Sequence, residues 1–106
     1  MTIMQGDSYP LYFQVVDGED TPVSIDEIEK VEILLGEIYK VYPCEDVLYD
    51  QEKECFVLRL RQQDTFKLST GSQILQFRVK GKDQNVTGWL NGTKITVIPS
   101  KSKEVL

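Results

Sequence analysis

Four aromatic residues are the first candidates for a binding function. Trp89, Tyr39, Tyr42 and Tyr49 combine a flat apolar ring with a polar group, which suits them to contact a sugar ring or a peptide. Side chains of this kind also pack cores and cross-strand pairs, and packing is the interpretation that their pattern favours. The alternative is an interaction surface built from these four residues.

A second candidate is a short acidic cluster. Asp17, Glu19 and Asp20 lie within four residues and could offer carboxylate oxygens to a calcium ion. The spacing lacks the complete ligand loop and its closing glutamate. The sequence therefore favours a solvated acidic turn, and we predict no metal and no cofactor.

Catalytic chemistry has little support in the sequence. The chain contains no histidine, which removes the commonest general base near neutral pH and every triad that uses an imidazole. The sequence contains neither a glycine-rich phosphate loop nor a nucleophile elbow, and nothing identifies a pair of catalytic carboxylates. We predict that the protein is not an enzyme and has no catalytic residues.

The two cysteines, Cys44 and Cys55, could in principle form a disulfide. If a hairpin turns at residues 50–53 and Tyr49 faces Glu54, the strand position opposite Cys44 lies about 13 Å from Cys55. A disulfide needs Cα atoms within about 7 Å. The prediction is therefore two free thiols, which agrees with a reducing compartment.

Length and charge limit the possible partners. The 106 residues suit one domain, and their net charge of -5 repels phosphate backbones and anionic bilayers at long range. We therefore predict no nucleic-acid partner and no membrane partner. The first residues have neither the basic region nor the apolar core of a signal peptide. We therefore expect the mature chain to begin in the cytoplasm of the cell that makes it.

The elements that must position these residues are strands. Leu75, Phe77 and Val79 alternate with Gln76 and Arg78, which is the pattern of a strand with one buried face. Similar patterns predict further strands at residues 1–4, 9–16, 31–35, 46–49, 54–60 and 86–90. Residues 38–42 either continue the strand at 31–35 or start another, and residues 93–98 either continue the last strand or follow a turn. With turn signals every 8 to 12 residues, about seven strands are typical of an antiparallel, immunoglobulin-like β-sandwich. A small open barrel is the alternative.

The segments between the strands give further predictions. A capping box at Ser24 to Glu27 predicts a short helical turn that extends to Lys30. Residues 62–69 form a corner in which Phe66 and Leu68 fill the end of the core. Residues 91–92, Asn-Gly, are either a tight turn or a bulge. We predict that the chain divides into a sandwich domain at residues 1–99 and a flexible polar tail at residues 100–106.

A family resemblance adds to these predictions. The chain resembles small phage and prophage proteins of Gram-positive bacteria that are related to the immunoglobulin-like N-terminal domain of phage baseplate upper proteins. The residues that carry the resemblance are Asp64-Thr65, Leu68 and Gly71 before an alternating strand, Gln5-Gly6-Asp7, the strand of Leu11, Phe13 and Val15, and the turn Asp17-Gly18. Two positions depart from the family pattern. Gln73 and Leu75 stand where tyrosines are frequent, and residues 82–85 replace an Asp-Gly hairpin.

The resemblance implies a structural role. A protein of this kind contributes to the virion or its assembly through contacts with other tail or baseplate proteins, or with further copies of itself. It would occur in the virion, or in the host cytoplasm during assembly. The second hypothesis, from the aromatic residues, is a carbohydrate-binding or adhesive module.

Overall fold

The computed structural model describes residues 1–106, except for the side chains of residues 89–93. Its strands are β1 (Thr2–Met4), β2 (Tyr9–Phe13), β3 (Ile28–Leu35), β4 (Ile38–Tyr42), β5 (Val47–Asp50), β6 (Cys55–Leu60), β7 (Gly71–Gly81) and β8 (Val86–Ile98). A 3-10 turn occupies Ile25–Glu27, and a short helix, α1, occupies Gln62–Phe66.

The strands form two sheets that pack face to face. The larger sheet has five strands in the order β1-β8-β7-β3-β4, and the smaller has three in the order β2-β6-β5. This arrangement confirms the prediction of an all-β, sandwich-like fold. The edge strand β1 runs parallel to β8, so the larger sheet is mixed, whereas its other strand pairs are antiparallel.

The core lies between the two sheets and follows the predicted alternation. Leu75, Phe77 and Val79 of β7 are all buried, as predicted, and Val31 and Ile33 of β3 are fully buried opposite them. The smaller sheet contributes its own buried residues from β6, which are Phe56, Leu58 and Leu60. Since alternate side chains of a strand point to opposite faces, the same pattern places a second set on the outside, which includes Glu32 and Arg78 but also the exposed Ile74 and Val86.

The predicted helix after Ser24 is shorter than expected. The Ser24 hydroxyl accepts a hydrogen bond from the Asp26 backbone N–H at 3.3 Å, but the turn ends at Glu27. The next residue, Ile28, already belongs to β3 and is buried opposite Gly81. The prediction of a helix through Lys30 was wrong because pairing with β7 outweighs a local capping signal.

The β5–β6 hairpin pairs in a different register from the predicted one. Tyr49 faces Phe56 rather than Glu54, and Asp50 faces Cys55. The Asp50 carboxylate accepts a hydrogen bond from the Glu52 backbone N–H at 3.0 Å and so shapes the turn. The predicted register was wrong because packing of Tyr49 against Phe56 on the inner side of the sheet selects the observed register.

Both cysteines are free, as predicted: Cys44 is exposed and Cys55 is buried. The predicted corner is present as α1 and the residues after it, with Leu68 buried at the end of the core. Residues 91–92 lie within the continuous strand β8, so the turn is excluded, and the ladder between β7 and β8 shifts register between Ile74–Lys94 and Gln76–Leu90, which agrees with the predicted bulge.

Within the described tail, residues 99–106 form no strand or helix. The Leu106 backbone N–H donates to Gln62 Oε1 at 2.7 Å, so the end of the chain returns to α1. The division between a domain at residues 1–99 and a tail at 100–106 stays a prediction. In the described part of the chain, no helix has the length and apolar composition needed to cross a bilayer.

Candidate functional site

The outer face of the larger sheet carries a fixed polar group of three side chains. Glu32 of β3 lies directly opposite Arg78 of β7, and both point away from the core because their neighbours in each strand point inward. Arg78 Nε donates to Glu32 Oε1 at 2.5 Å, and its Nη2 donates to Oε2 at 2.8 Å. The ion pair is therefore bidentate, which fixes the orientation of both side chains.

Tyr39 of β4 completes the group. Its hydroxyl donates to Glu32 Oε2 at 2.7 Å. The hydrogen bonds from Arg78 and then from Tyr39 lower the pKa of Glu32 to about 2, and the Glu32 carboxylate raises the pKa of the Tyr39 phenol. At neutral pH the carboxylate is therefore ionised and the phenol protonated. A carboxylate with so low a pKa is a poor general base, so the group is suited to binding by shape and charge.

A shallow cavity of about 300 Å³ adjoins the group and is bordered by Lys30, Lys80, Arg78 and Tyr39. Gly88 of β8 lies opposite Arg78 in the sheet. A Cβ atom at Gly88 would lie 3.4 Å from Arg78 Cγ, an ordinary van der Waals contact, so the arginine side chain lies over this position of β8.

The structure separates the predicted aromatic residues. Tyr39 is 56% exposed on the outer face. Tyr42 and Tyr49 instead pack edge-on against the buried ring of Phe56, with centroid distances of 5.1 and 5.0 Å. The side chain of Trp89 lies outside the described residues. Packing therefore accounts for Tyr42 and Tyr49, and Tyr39 belongs to a different surface.

The acidic cluster after β2 shapes its own loop. Asp17 Oδ1 accepts hydrogen bonds from the backbone N–H groups of Glu19 at 2.8 Å and Thr21 at 3.1 Å. Asp17 also borders a cavity of about 790 Å³ at this end of the sandwich. Among the described side chains, no group of three or more His, Cys, Asp or Glu residues is placed to hold a metal ion.

The corner at α1 joins the two segments that carry most of the family resemblance. Thr65 is fully buried, and its Oγ1 accepts from the Gly6 backbone N–H at 2.9 Å and donates to the Asp7 carbonyl at 2.8 Å. Gln5 Nε2 donates to the Leu68 carbonyl at 2.8 Å. The motif residues therefore touch across a separation of about 60 positions in the chain.

The backbone and the packing of this corner both require glycine at position 6. Its φ of +91° lies in the left-handed region, and a Cβ atom there would come within 2.6 Å of the Phe66 ring. Sequence reasoning quoted Gly6 and Thr65 as motif residues without assigning them a role. The signal that could have paired them is a threonine in an otherwise apolar corner, whose hydroxyl needs a backbone partner when it is buried.

A second ion cluster lies at the seam between the sheets, and the sequence analysis missed it. Asp46 accepts from Lys40 Nζ and from Arg61 Nε, both at 2.8 Å. The Lys40 ammonium also lies 3.5 Å from Asp64 of α1. These contacts, the Lys40 hydrogen bond first, lower the pKa of Asp46 and raise that of Lys40. The cluster ties β4 of the larger sheet to the start of β5 and to the end of β6.

Comparisons with known proteins give few matches. No protein-family model matches the chain, and no curated protein matches it. The crystal structure of CopC from Methylosinus trichosporium OB3b is similar with a TM-score of 0.37 and 20% sequence identity, over 74% of this chain and 72% of that chain.

Proposed function

We propose that the protein is a structural component associated with a phage or prophage tail or baseplate, and that it acts through protein–protein contacts during virion assembly. The proposal begins from the family resemblance in residues 5–7 and 64–71. The observation that supports it is that these two segments form one hydrogen-bonded corner through Thr65. The resemblance therefore concerns one connected part of the fold rather than scattered residues.

The surface chemistry agrees with a binding role. The exposed side of the larger sheet presents Tyr39, Glu32 and Arg78 in fixed positions beside a shallow cavity of about 300 Å³. Preorganised aromatic and arginine side chains lose little freedom on association, and both residue types are enriched at protein interfaces. The proposed location is the virion, or the host cytoplasm during assembly.

Affinity capture of a tagged chain from a lysate after prophage induction tests this function. We expect phage tail or baseplate proteins in the captured fraction and the protein itself in purified virions, both identified by mass spectrometry. An uninduced culture that expresses the same tagged chain is the control. Purified virions that lack the protein, together with a captured fraction without tail proteins, would overturn the proposal.

The second candidate is a carbohydrate-binding or adhesive module. The exposed ring of Tyr39 next to the shallow cavity favours it, since sugar rings stack on such faces. A glycan array with the wild-type protein and the Trp89→Ala and Tyr39→Ala variants separates the two functions. Binding that either variant loses while it stays folded would support the carbohydrate module, and an array without any binding would exclude that module for the glycans tested.

A further inference from the structure

The charges of the chain are divided unevenly along its length. Residues 1–64 hold 15 of the 17 acidic side chains and 5 of the 12 basic ones, whereas residues 65–106 hold 2 acidic and 7 basic side chains. The first 29 residues contain seven acidic side chains and no lysine or arginine. β7 and β8 place Arg78, Lys80 and Lys94 in the larger sheet, beside β3 with Lys30 and Glu32.

The outer side of the larger sheet is the basic surface. We define the basic face as Lys30 of β3, Arg78 and Lys80 of β7, and Lys94 of β8, which all project away from the core. Glu32 lies on the same side and pairs with Arg78, so the face is basic in net charge. Lys30 and Lys80 are direct partners in adjacent strands, and like charges in that position repel. Lys80 has Glu29 at 3.5 Å, but Lys30 forms no ion pair among the described residues. An anionic group placed over the two lysines would relieve their repulsion.

One end of the sandwich is the acidic surface. We define the acidic end as Asp17, Asp26, Glu27 and Glu54, from the loop after β2, the 3-10 turn and the β5–β6 hairpin. The first three border the cavity of about 790 Å³, together with Asp83 and one basic side chain, Lys82. Asp26 also borders a second cavity of about 390 Å³ that Glu54 lines, so the two cavities adjoin and their lining is acidic in net charge.

We propose that copies of this chain associate head to face, with the acidic end of one copy docked on the basic face of the next. The inference deepens the proposed function, because it names one partner in the assembly. The occupant is a second copy because each chain itself carries two surfaces of opposite net charge. A long anionic polymer is a poorer occupant, since the net charge of -5 repels it at a distance.

The geometry of this contact has consequences for the assembly. Two different surfaces meet, so the contact is heterologous and extends into a ring or a filament instead of stopping at a two-fold dimer. Because the attraction is between exposed charges, it weakens as salt screens them. The structure therefore implies association that increases with protein concentration and decreases with ionic strength.

Sedimentation velocity of the purified full chain tests the inference. We expect concentration-dependent association in about 0.02 M NaCl and its loss in about 0.5 M NaCl, where the screening length falls to a few ångströms. A face variant, Lys30→Glu with Lys80→Glu and Lys94→Glu, should weaken association about tenfold or more. The matched control carries Lys67→Glu, Lys101→Glu and Lys103→Glu, which change the net charge equally at exposed positions outside the basic face. It should associate more tightly than the face variant.

Exchanging the charges of the two surfaces distinguishes a specific contact from general electrostatic repulsion between the chains. An end variant with Asp26→Lys, Glu27→Lys and Glu54→Lys should fail to associate alone but should associate with the face variant, because each then carries what the other lost. Circular dichroism checks that every variant is folded. A wild-type chain that stays monomeric in low salt, a control as weak as the face variant, or a mixture that does not associate would overturn the inference.

The proposed phage-tail function and the proposed self-association can each be disproved without the other. A monomeric wild-type chain that still captures tail proteins removes self-association and leaves the proposed function. A chain that self-associates but captures no phage protein, and is missing from virions, removes the proposed function and leaves self-association.

Discussion

In the corner at α1, Thr65 is buried and its hydroxyl bonds to the backbone of Gly6 and Asp7, whereas on the outer face Glu32 and Arg78 bond to each other beside solvent. The corner links the loop before β2 to α1 beside the ladder between β2 and β6, and its hydrogen bonds are buried, so their loss leaves polar groups without a partner and without water. The face is already held by the sheet beneath it. Its ion pair therefore adds little to folding and is available to a partner.

The seam around Asp46 is intermediate between these regions. The Asp46 carboxylate is mostly buried, as Glu32 is, and Arg61 is half exposed, as Arg78 is, but Asp46 has a second, mostly buried cation partner in Lys40. The burial of each polar group together with its partners should therefore rank the effect of substitutions at the three places.

The largest effect is expected in the corner. Thr65→Val removes the hydroxyl and leaves the Gly6 N–H and the Asp7 carbonyl without this partner, so the free energy of unfolding should fall by about 2 kcal/mol. Urea denaturation measures the change. Thr96→Val is the matched control, because Thr96 is exposed on β8, and its effect should be close to zero. Equal losses for the two variants would contradict the assignment of Thr65.

A smaller effect is expected at the seam. Asp46→Asn removes the charge that Lys40 and Arg61 contact, and should lower the free energy of unfolding by about 1.5 kcal/mol at pH 7. Because folding lowers the pKa of Asp46, its contribution is present above the unfolded pKa and is lost as the pH falls through the folded value. Glu45→Gln, at an exposed neighbour 3.9 Å from Arg61, is the control and should change little. A flat response to Asp46→Asn would mean that the cluster does not join the sheets.

The smallest effect on stability is expected on the outer face, where it can be measured as a dependence of stability on pH. The folded pKa of Glu32 is about 2 against an ordinary value of 4.5. Its stabilising contribution is therefore complete above about pH 4.5 and is lost between there and about pH 2. Glu32→Gln should shift the urea midpoint less than Asp46→Asn does at pH 7, and the difference from wild type should vanish near pH 2.

Tyr39→Phe sharpens the same comparison. It removes the hydrogen bond to Glu32 but keeps the ion pair with Arg78, so its shift should be smaller than that of Glu32→Gln. The urea midpoint of each variant across the acid range measures both effects. A larger shift for Tyr39→Phe would show that the hydroxyl, rather than the arginine, holds the carboxylate.

The local patterns of the chain were enough to predict the strands and their buried faces. Leu75, Phe77 and Val79 alternate in the sequence and are buried in the structure because a strand turns every second side chain to the same side. The free thiols of Cys44 and Cys55 also followed, although the hairpin register used to predict them was wrong. A local signal failed where a distant strand competed with it, as at Ile28, where β3 begins in place of a continued helix.

The amino-acid sequence by itself determined which residues are apolar, how they alternate and therefore that two sheets could enclose a core. Only the tertiary structure decided which distant polar groups meet: Thr65 with Gly6, Glu32 with Arg78, and Asp46 with Lys40. The physical reason is that alternation is set by neighbouring residues in a strand. A hydrogen bond between segments tens of residues apart depends on sheet order and register, which no local pattern specifies.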